Sequence, residues 1–361
     1  MSGSQLAMKG LILSGGAGTR LRPITHTSAK QLVPVGNKPV LFFGIEALVD
    51  AGVTNIGIVI APETGEEIRE AVGSGEAFGA EVTWIEQDRP GGLAHAVLAA
   101  REFIGTDPFV MYLGDNLLRD GITDLVETFR RTDPDALVLL TEVDDPSSYG
   151  VAELDGERIV RLVEKPKQPV SNLALVGVYL FTQSIFEAAD RLEPSPRGEL
   201  EITEAIQGLI ESGLRVEHEV VGGWWKDTGM LDDMLEANRL VLDEARAEIA
   251  GEVEESEVEG EVVLGEGSRL VRSKVTGPVV VGPGCLIEDA SIGAYSSIGP
   301  SVTVVDSAVS DSIILEGCRI EGVRPGLEGS LIGRNVEVKG ITDSGALLRV
   351  MLGDNSRVEL S

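Results

Sequence analysis

Apolar positions in the first 140 residues alternate between two rhythms. Residues 9–14, 55–60, 81–86 and 109–113 form short runs that read as strands. Between them, residues 38–51 and 93–103 space their apolar side chains like helices, with Pro39 suited to a first turn. Thr64 stands three residues before Glu67, a capping-box pattern that predicts a helix ending at Val72. Strands alternating with helices through residue 142 predict an α/β domain whose mostly parallel sheet is covered on both faces. Beyond it the pattern predicts a hairpin around Asp155-Gly156 and a strand over 174–181. A helix over 201–212, a strand over 215–221 and a long helix over 229–249 follow.

A different rhythm begins at Leu264. Aliphatic or small residues recur at 270, 275, 281, 287, 292, 298, 304, 309, 314 and 320, in steps of five or six. Glycine often follows, as in Leu264-Gly265, Val281-Gly282, Ile292-Gly293 and Ile298-Gly299. Such periodicity predicts a parallel β-helix, each repeat stacking one aliphatic side chain into a shared core. The five-residue steps are departures that mark bends or bulges. The acidic stretch 251–261 (GEVEESEVEGE) reads as the junction between domains spanning 8–250 and 262–361.

At 361 residues, two domains are expected. No run of eighteen apolar residues and no charged-then-apolar leader is present, so a soluble, cytoplasmic protein without a membrane partner is expected. A formal charge of −29 argues against a nucleic-acid partner. Cys285 and Cys318 form no C-x-x-C pair and read as small buried residues, while His26, His95 and His218 are scattered.

The candidate chemistry lies in residues 9–30, KGLILSGGAGTRLRPITHTSAK. A strand breaks into Ser14-Gly15-Gly16-Ala17-Gly18-Thr19-Arg20, and Arg20, Arg22 and Lys30 follow closely. Exposed amides beside fixed cations suit a polyphosphate. The spacing is neither a dinucleotide fingerprint, because Leu21 stands where its third glycine belongs, nor a P-loop, because no Lys-Ser or Lys-Thr follows. In open α/β sheets ligands gather beyond the carboxyl ends of strands, where both this turn and Asp115 fall.

This stretch resembles the signature of the sugar-nucleotidyltransferases. Further motifs in that family's order are Lys30-Gln31-Leu32-Val33-Pro34-Val35, Asn37-Lys38-Pro39-Val40, Gly114-Asp115-Asn116 and Tyr149-Gly150-Val151. Glu164-Lys165-Pro166, Arg197-Gly198-Glu199-Leu200-Glu201-Ile202-Thr203 and Trp225-Lys226-Asp227-Thr228-Gly229 complete the set. Together they look like glucose-1-phosphate thymidylyltransferases of the long form. The resemblance implies a Rossmann-like catalytic domain followed by a left-handed β-helix. It implies transfer of a deoxythymidylyl group from dTTP to glucose-1-phosphate with Mg²⁺, and a homo-oligomer, trimeric or tetrameric.

Residue by residue, the resemblance assigns Arg20 and Lys30 to the triphosphate. Leu13, Gly15, Gly16, Gly18, Thr19, Gln31, Gln87, Gly92 and Asp115 line the nucleotide. Tyr149, Gly150, Glu164, Lys165, Val176 and Trp225 belong to the sugar phosphate, and Asp115 and Asp227 share the metal. The attacking phosphate is already ionised, so alignment and charge neutralisation suffice and no catalytic His or Cys is required. Thymine and uracil differ by one methyl group, worth only about 1–3 kcal/mol in a pocket, so a UTP-dependent enzyme remains open. A regulatory subunit without activity also remains, although Arg20, Asp115 and Asp227 are all present. Acetyl transfer by the β-helix is disfavoured because no histidine follows His218.

Overall fold

Lys9–Ser14 is buried along nearly its whole length and pairs in parallel on both sides, with Asn55–Ile60 and with Phe109–Leu113. A strand lacking a solvent face must be apolar throughout, which is why this segment does not alternate. The computed structural model describes residues 7–16, 18–341 and 345–360. It forms two units: the N-terminal strand with Leu41–Asp227, and Gly18–Val40 with Thr228–Ser361.

The first unit is built on a nine-stranded sheet. Glu81–Glu86 adds in parallel to Asn55–Ile60. On the other side Leu173–Phe181 runs antiparallel to Phe109–Leu113 and to Ala136–Glu142, and Val216–Val220 joins the latter in parallel. The predicted hairpin is present as Gly150–Asp155 and Arg158–Glu164, turning through Gly156. Its core includes Phe109, Phe181 and Phe186, stacked or tilted with centroids 5.7–5.9 Å apart. Asn116–Leu118 and Trp225–Asp227 form a separate antiparallel ribbon.

Three local expectations change. The helix predicted over 93–103 is divided into Leu93–Ala99 and Arg101–Ile104, because Ala100 leaves helical geometry (φ −86°, ψ 0°). The helix Gly65–Val72 forms without its capping box. Thr64 lies at ψ −5° rather than in the extended conformation a cap needs, and its buried hydroxyl bonds to nothing. The helix predicted over 229–249 spans only Leu231–Leu242, because Glu248–Ile249 already pairs with Val262–Leu264.

In the second unit the strands stack in three parallel faces, a left-handed parallel β-helix. Every aliphatic position of that series, from Leu264 to Ile320, is buried inside it. Coils advance by 17 residues in the early turns, as the cross-coil bonds of Ser256 with Ser273 and of Ser273 with Ala290 record. The shortened steps have a cause. Arg272, Asp289 and Asp306 take left-handed backbone (φ 48–49°) in the intervals 270–275, 287–292 and 304–309, closing those corners in fewer residues.

The acidic stretch expected as a junction is itself the first coil. Glu252–Glu254 and Glu257–Glu259 pair in parallel with the coil above. Val253 and Val258 in it, and Ile249 just before it, stay exposed because, among the described residues, theirs is the terminal coil of the stack. The glutamates that made the stretch look like a linker discourage edge-to-edge pairing there.

Candidate active site

Within the first unit, the carboxyl ends of the sheet strands carry Gly15, Gly16, Gln87, Asp115, Glu164 and Lys165. Gly15 follows directly from Lys9–Ser14, and a Cβ on it would lie 2.8 Å from Gln87 Oε1. Any side chain there would have to displace the Gln87 amide. Gln87 is buried; its amide nitrogen donates to Gly92 O at 3.2 Å and lies 3.1 Å from His95 Nδ1. Gly92 sits at φ +94°, where a Cβ would meet Leu200 O at 2.5 Å. Gly15, Gln87 and Gly92 are thus brought together; Gly16 is exposed beside them and Leu13 is packed in the core.

The two candidate aspartates are related through the ribbon. Its register sets Asp227 opposite Asn116, which places Asp227 beside the neighbour of Asp115. Asn116 is buried and works in two directions: Nδ2 donates to Asp115 Oδ1 at 2.9 Å, and Oδ1 accepts from Trp225 Nε1 at 2.6 Å. Below it, Tyr112 is fully buried; burial first, and the Asp115 charge second, push its hydroxyl well above the usual range, so it stays neutral. Among the described residues no group of three or more His, Cys, Asp or Glu side chains could hold a metal. A pair of carboxylates instead fits a hard divalent cation that completes its shell with phosphate oxygens and water.

The sugar-side candidates also converge in this unit. Trp225 packs edge-on against Tyr149 with centroids 5.3 Å apart. Lys165 donates its backbone N–H to Tyr149 O at 2.9 Å and takes a left-handed φ of 40°. Glu164 is contacted by Lys165 Nζ at 3.4 Å, by Arg197 at 3.2 Å and by the Thr203 hydroxyl at 3.2 Å. Gly150 lies against Thr203 and Leu175, and Val176 is buried. Burial opposes the charge on Arg197, but its hydrogen bonds to Glu201 and the nearby Glu199 and Glu164 outweigh this and raise its pKa.

Asn116 and Arg197 were not singled out from the sequence. Both lie inside the quoted motifs, and that was their only signal.

Arg20 and Lys30, the cationic candidates for the triphosphate, belong to the second unit. Gly18 starts a short 3-10 turn, Thr19–Leu21, whose Leu21 is buried while Arg20 remains exposed. The Arg20 guanidinium lies against Gly229, 3.0 Å from where a Cβ would stand. Thr25 donates its hydroxyl to Gly18 O at 2.7 Å, and the Lys30 stem packs against Gly18. Lys30 and Gln31 are both buried, and Gln31 Oε1 has no hydrogen-bond partner.

Comparison with known proteins agrees with this architecture. A nucleotidyl transferase family model matches residues 9–244. A glucose-1-phosphate thymidylyltransferase of Streptomyces antibioticus is 53% identical over 98% of this chain and 99% of its own length. One from Streptomyces griseus is 50% identical over 98% of this chain and its whole length. Among solved structures, a Bacillus anthracis protein described as a glucose-1-phosphate thymidylyltransferase superposes with a TM-score of 0.63 at 38% identity, covering 67% of this chain and 98% of its own.

The chain therefore belongs to the nucleotidyl transferase family and is an enzyme of that class. Within it, the relatives matched along almost the entire chain are glucose-1-phosphate thymidylyltransferases. Enzymes of this family generally use a divalent metal. No helix among the described residues is long and apolar enough to cross a membrane.

Proposed function

We propose that the chain transfers a deoxythymidylyl group from dTTP to α-D-glucose-1-phosphate, releasing pyrophosphate. The full-length similarity to the Streptomyces enzymes supports the substrates. The observation that carries the reading is the register of Asp227 opposite Asn116, the neighbour of Asp115; the Tyr149–Trp225 and Glu164–Lys165 contacts support it.

In this reading a phosphate oxygen of glucose-1-phosphate attacks the α-phosphorus of dTTP. The bond from that phosphorus to the bridging oxygen breaks, and pyrophosphate leaves with the electron pair. Lys165 holds the sugar phosphate, and Glu164 accepts hydrogen bonds from sugar hydroxyls in exchange for part of its contact with Arg197. Arg20 grips the β- and γ-phosphates with its planar fork, and Lys30 adds a second positive charge. Gly15, Gly16, Gly18 and Thr19 offer backbone to the triphosphate, while Gln31 and Gln87 read the pyrimidine edge with their amides. Asp115 and Asp227 would hold Mg²⁺, which neutralises charge on the phosphate oxygens. A nucleoside triphosphate substrate fits a cytoplasmic enzyme, and we include a homo-oligomeric assembly in the reading.

The test is pyrophosphate release with glucose-1-phosphate and Mg²⁺, comparing dTTP with UTP at equal subsaturating concentration. Preference for dTTP is expected. Preference for UTP would overturn the base assignment, and release with neither would overturn the activity.

A further inference from the structure

The segment carrying Arg20, Lys30 and Gln31 is fastened to the C-terminal unit rather than left as a loose loop. Thr27 donates its hydroxyl to Asp354 Oδ2 at 2.8 Å. Asp354 Oδ1 accepts from the backbone N–H of Arg334 at 2.7 Å. The guanidinium of that same Arg334 reaches the buried Ser28 hydroxyl at 3.0 Å. Pro23 packs on Gly353, where a Cβ would stand 3.1 Å away. Two adjacent coils therefore grip residues 23–28, and one aspartate ties the two coils together.

A second fastening lies on the far side of Lys30. Pro34–Val35 and Lys38–Pro39 form a ribbon closed by Gly36 and Asn37, both at positive φ, and Asn37 Nδ2 donates to Ile298 O at 2.7 Å. Gly36 donates its N–H to Asn238. Lys30 and Gln31 are thus suspended between two anchors, 23–28 and 36–37. The short 3-10 turns that link them have little stability of their own.

We infer that the β-helix is the mount that positions the triphosphate-binding segment, with Asp354 and Thr27 as positioning residues for Arg20 and Lys30. This rests on the reading above that those two cations bind the nucleotide. A single side-chain bond is modest, but aligned phosphates are sensitive to position: a misplacement of about 1 Å can cost roughly 100-fold in rate. The inference gives the β-helix a role in the reaction of the other end of the chain without any chemistry of its own.

The test uses the full chain with Asp354→Ala, Thr27→Val, the double variant and Asp354→Asn. Arg357→Ala, which breaks only exposed pairs with Glu359 and Glu337, serves as control. Two readouts are taken: steady-state kinetics for each substrate, and hydrogen exchange of amides 18–40. Asp354→Ala is expected to lower kcat/KM for the nucleotide roughly 10- to 100-fold, leave KM for the sugar phosphate unchanged and speed exchange over 23–32. Thr27→Val should act in the same direction, the double variant should be no worse than the stronger single one, and Asp354→Asn should restore most of the loss. Equal losses on both substrates, additive effects, or unchanged exchange over 23–32 would overturn the inference. If the wild-type chain turns over no nucleotide, the reading it rests on has failed. Exchange unaltered by Asp354→Ala while wild-type activity is normal is failure of this inference alone.

Discussion

Asn238→Ala should loosen the Gly36-Asn37 anchor more than any other single change in the helix Leu231–Leu242. The side chain has no exposed surface. Its Oδ1 accepts from Gly36 N–H at 2.8 Å and from the Ser297 hydroxyl at 2.7 Å, and its Nδ2 donates to Tyr295 O at 2.9 Å. Truncation leaves three orphaned groups. The Ser297 hydroxyl can rotate toward another acceptor, but the Gly36 amide and the Tyr295 carbonyl cannot. An unsatisfied buried group costs about 1–3 kcal/mol, so the two together cost about 2–6 kcal/mol. At about 1.4 kcal/mol per factor of ten, amides 36–40 should exchange with solvent at least ~30-fold faster. Asn238→Asp sharpens the test. It keeps both acceptances and replaces the donor to Tyr295 O by a carboxylate, so its folded pKa is raised by burial and by the facing carbonyl. Its stability is then fully present below the unfolded value and is lost as pH rises through the raised one. Exchange over 36–40 should therefore be slow near pH 4 and fast near neutrality, after correction for the intrinsic rate. Exchange in Asn238→Ala within threefold of wild type would refute the reasoning.

The remaining predictions address both units. Asp227→Ala should abolish divalent-metal-dependent turnover with the circular dichroism spectrum unchanged, and undiminished turnover would refute the metal assignment. Lys165→Ala should raise KM for the sugar phosphate about tenfold or more, read from initial rates, while KM for the nucleotide stays near wild type. Ile292→Ala, at a fully buried solenoid position, should cost about 2–5 kcal/mol and lower the unfolding temperature of the β-helix. Burial pushes the Cys318 thiol up to about 12. Its folded pKa lies above its unfolded one, so its contribution is full below about pH 8.5 and is lost as pH rises toward 12. Stability of Cys318→Ala, measured across pH 8 to 11, should fall less steeply than that of wild type.

Where the sequence pattern was locally determined, it was legible. The run Lys9–Ser14 and the run Phe109–Leu113 are buried central strands, and burial on both faces is what makes a strand uniformly apolar. The solenoid was legible for the same reason, since each repeat meets the same environment and keeps the same residue inside. Boundaries failed where the decisive partner was remote or the local geometry was off. Thr64 has the capping-box spacing without the backbone conformation, and spacing alone does not reveal ψ. Stretch 251–261 has the composition of a linker, yet its outward glutamates and inward valines are those of a terminal coil.

The candidate site shows the same division between local and remote information. The glycine turn, Asp115, Asp227 and the Glu164-Lys165 step lie in motifs of a known family, so motif reading could select them as candidates. Their supports carry no such mark. Asn116 is one amide among many until the ribbon register puts Asp227 opposite it and Trp225 on its oxygen. The same holds for residues 18–40, whose partners lie 327 positions away at Asp354, 306 at Arg334 and 261 at Ile298. A change in composition near residue 250 marks where repeats begin, and repeats begin where stacking requires them. It carries no information about which earlier segment the stack will grip. The structural division instead takes residues 18–40 out of the expected 8–250 domain and groups them with Thr228–Ser361. A chain ending at residue 250 would keep every nucleotidyltransferase motif and would lose Asp354, Arg334 and Ile298. Motif content and mechanical completeness are therefore separate properties of this sequence, and only the first can be read along it.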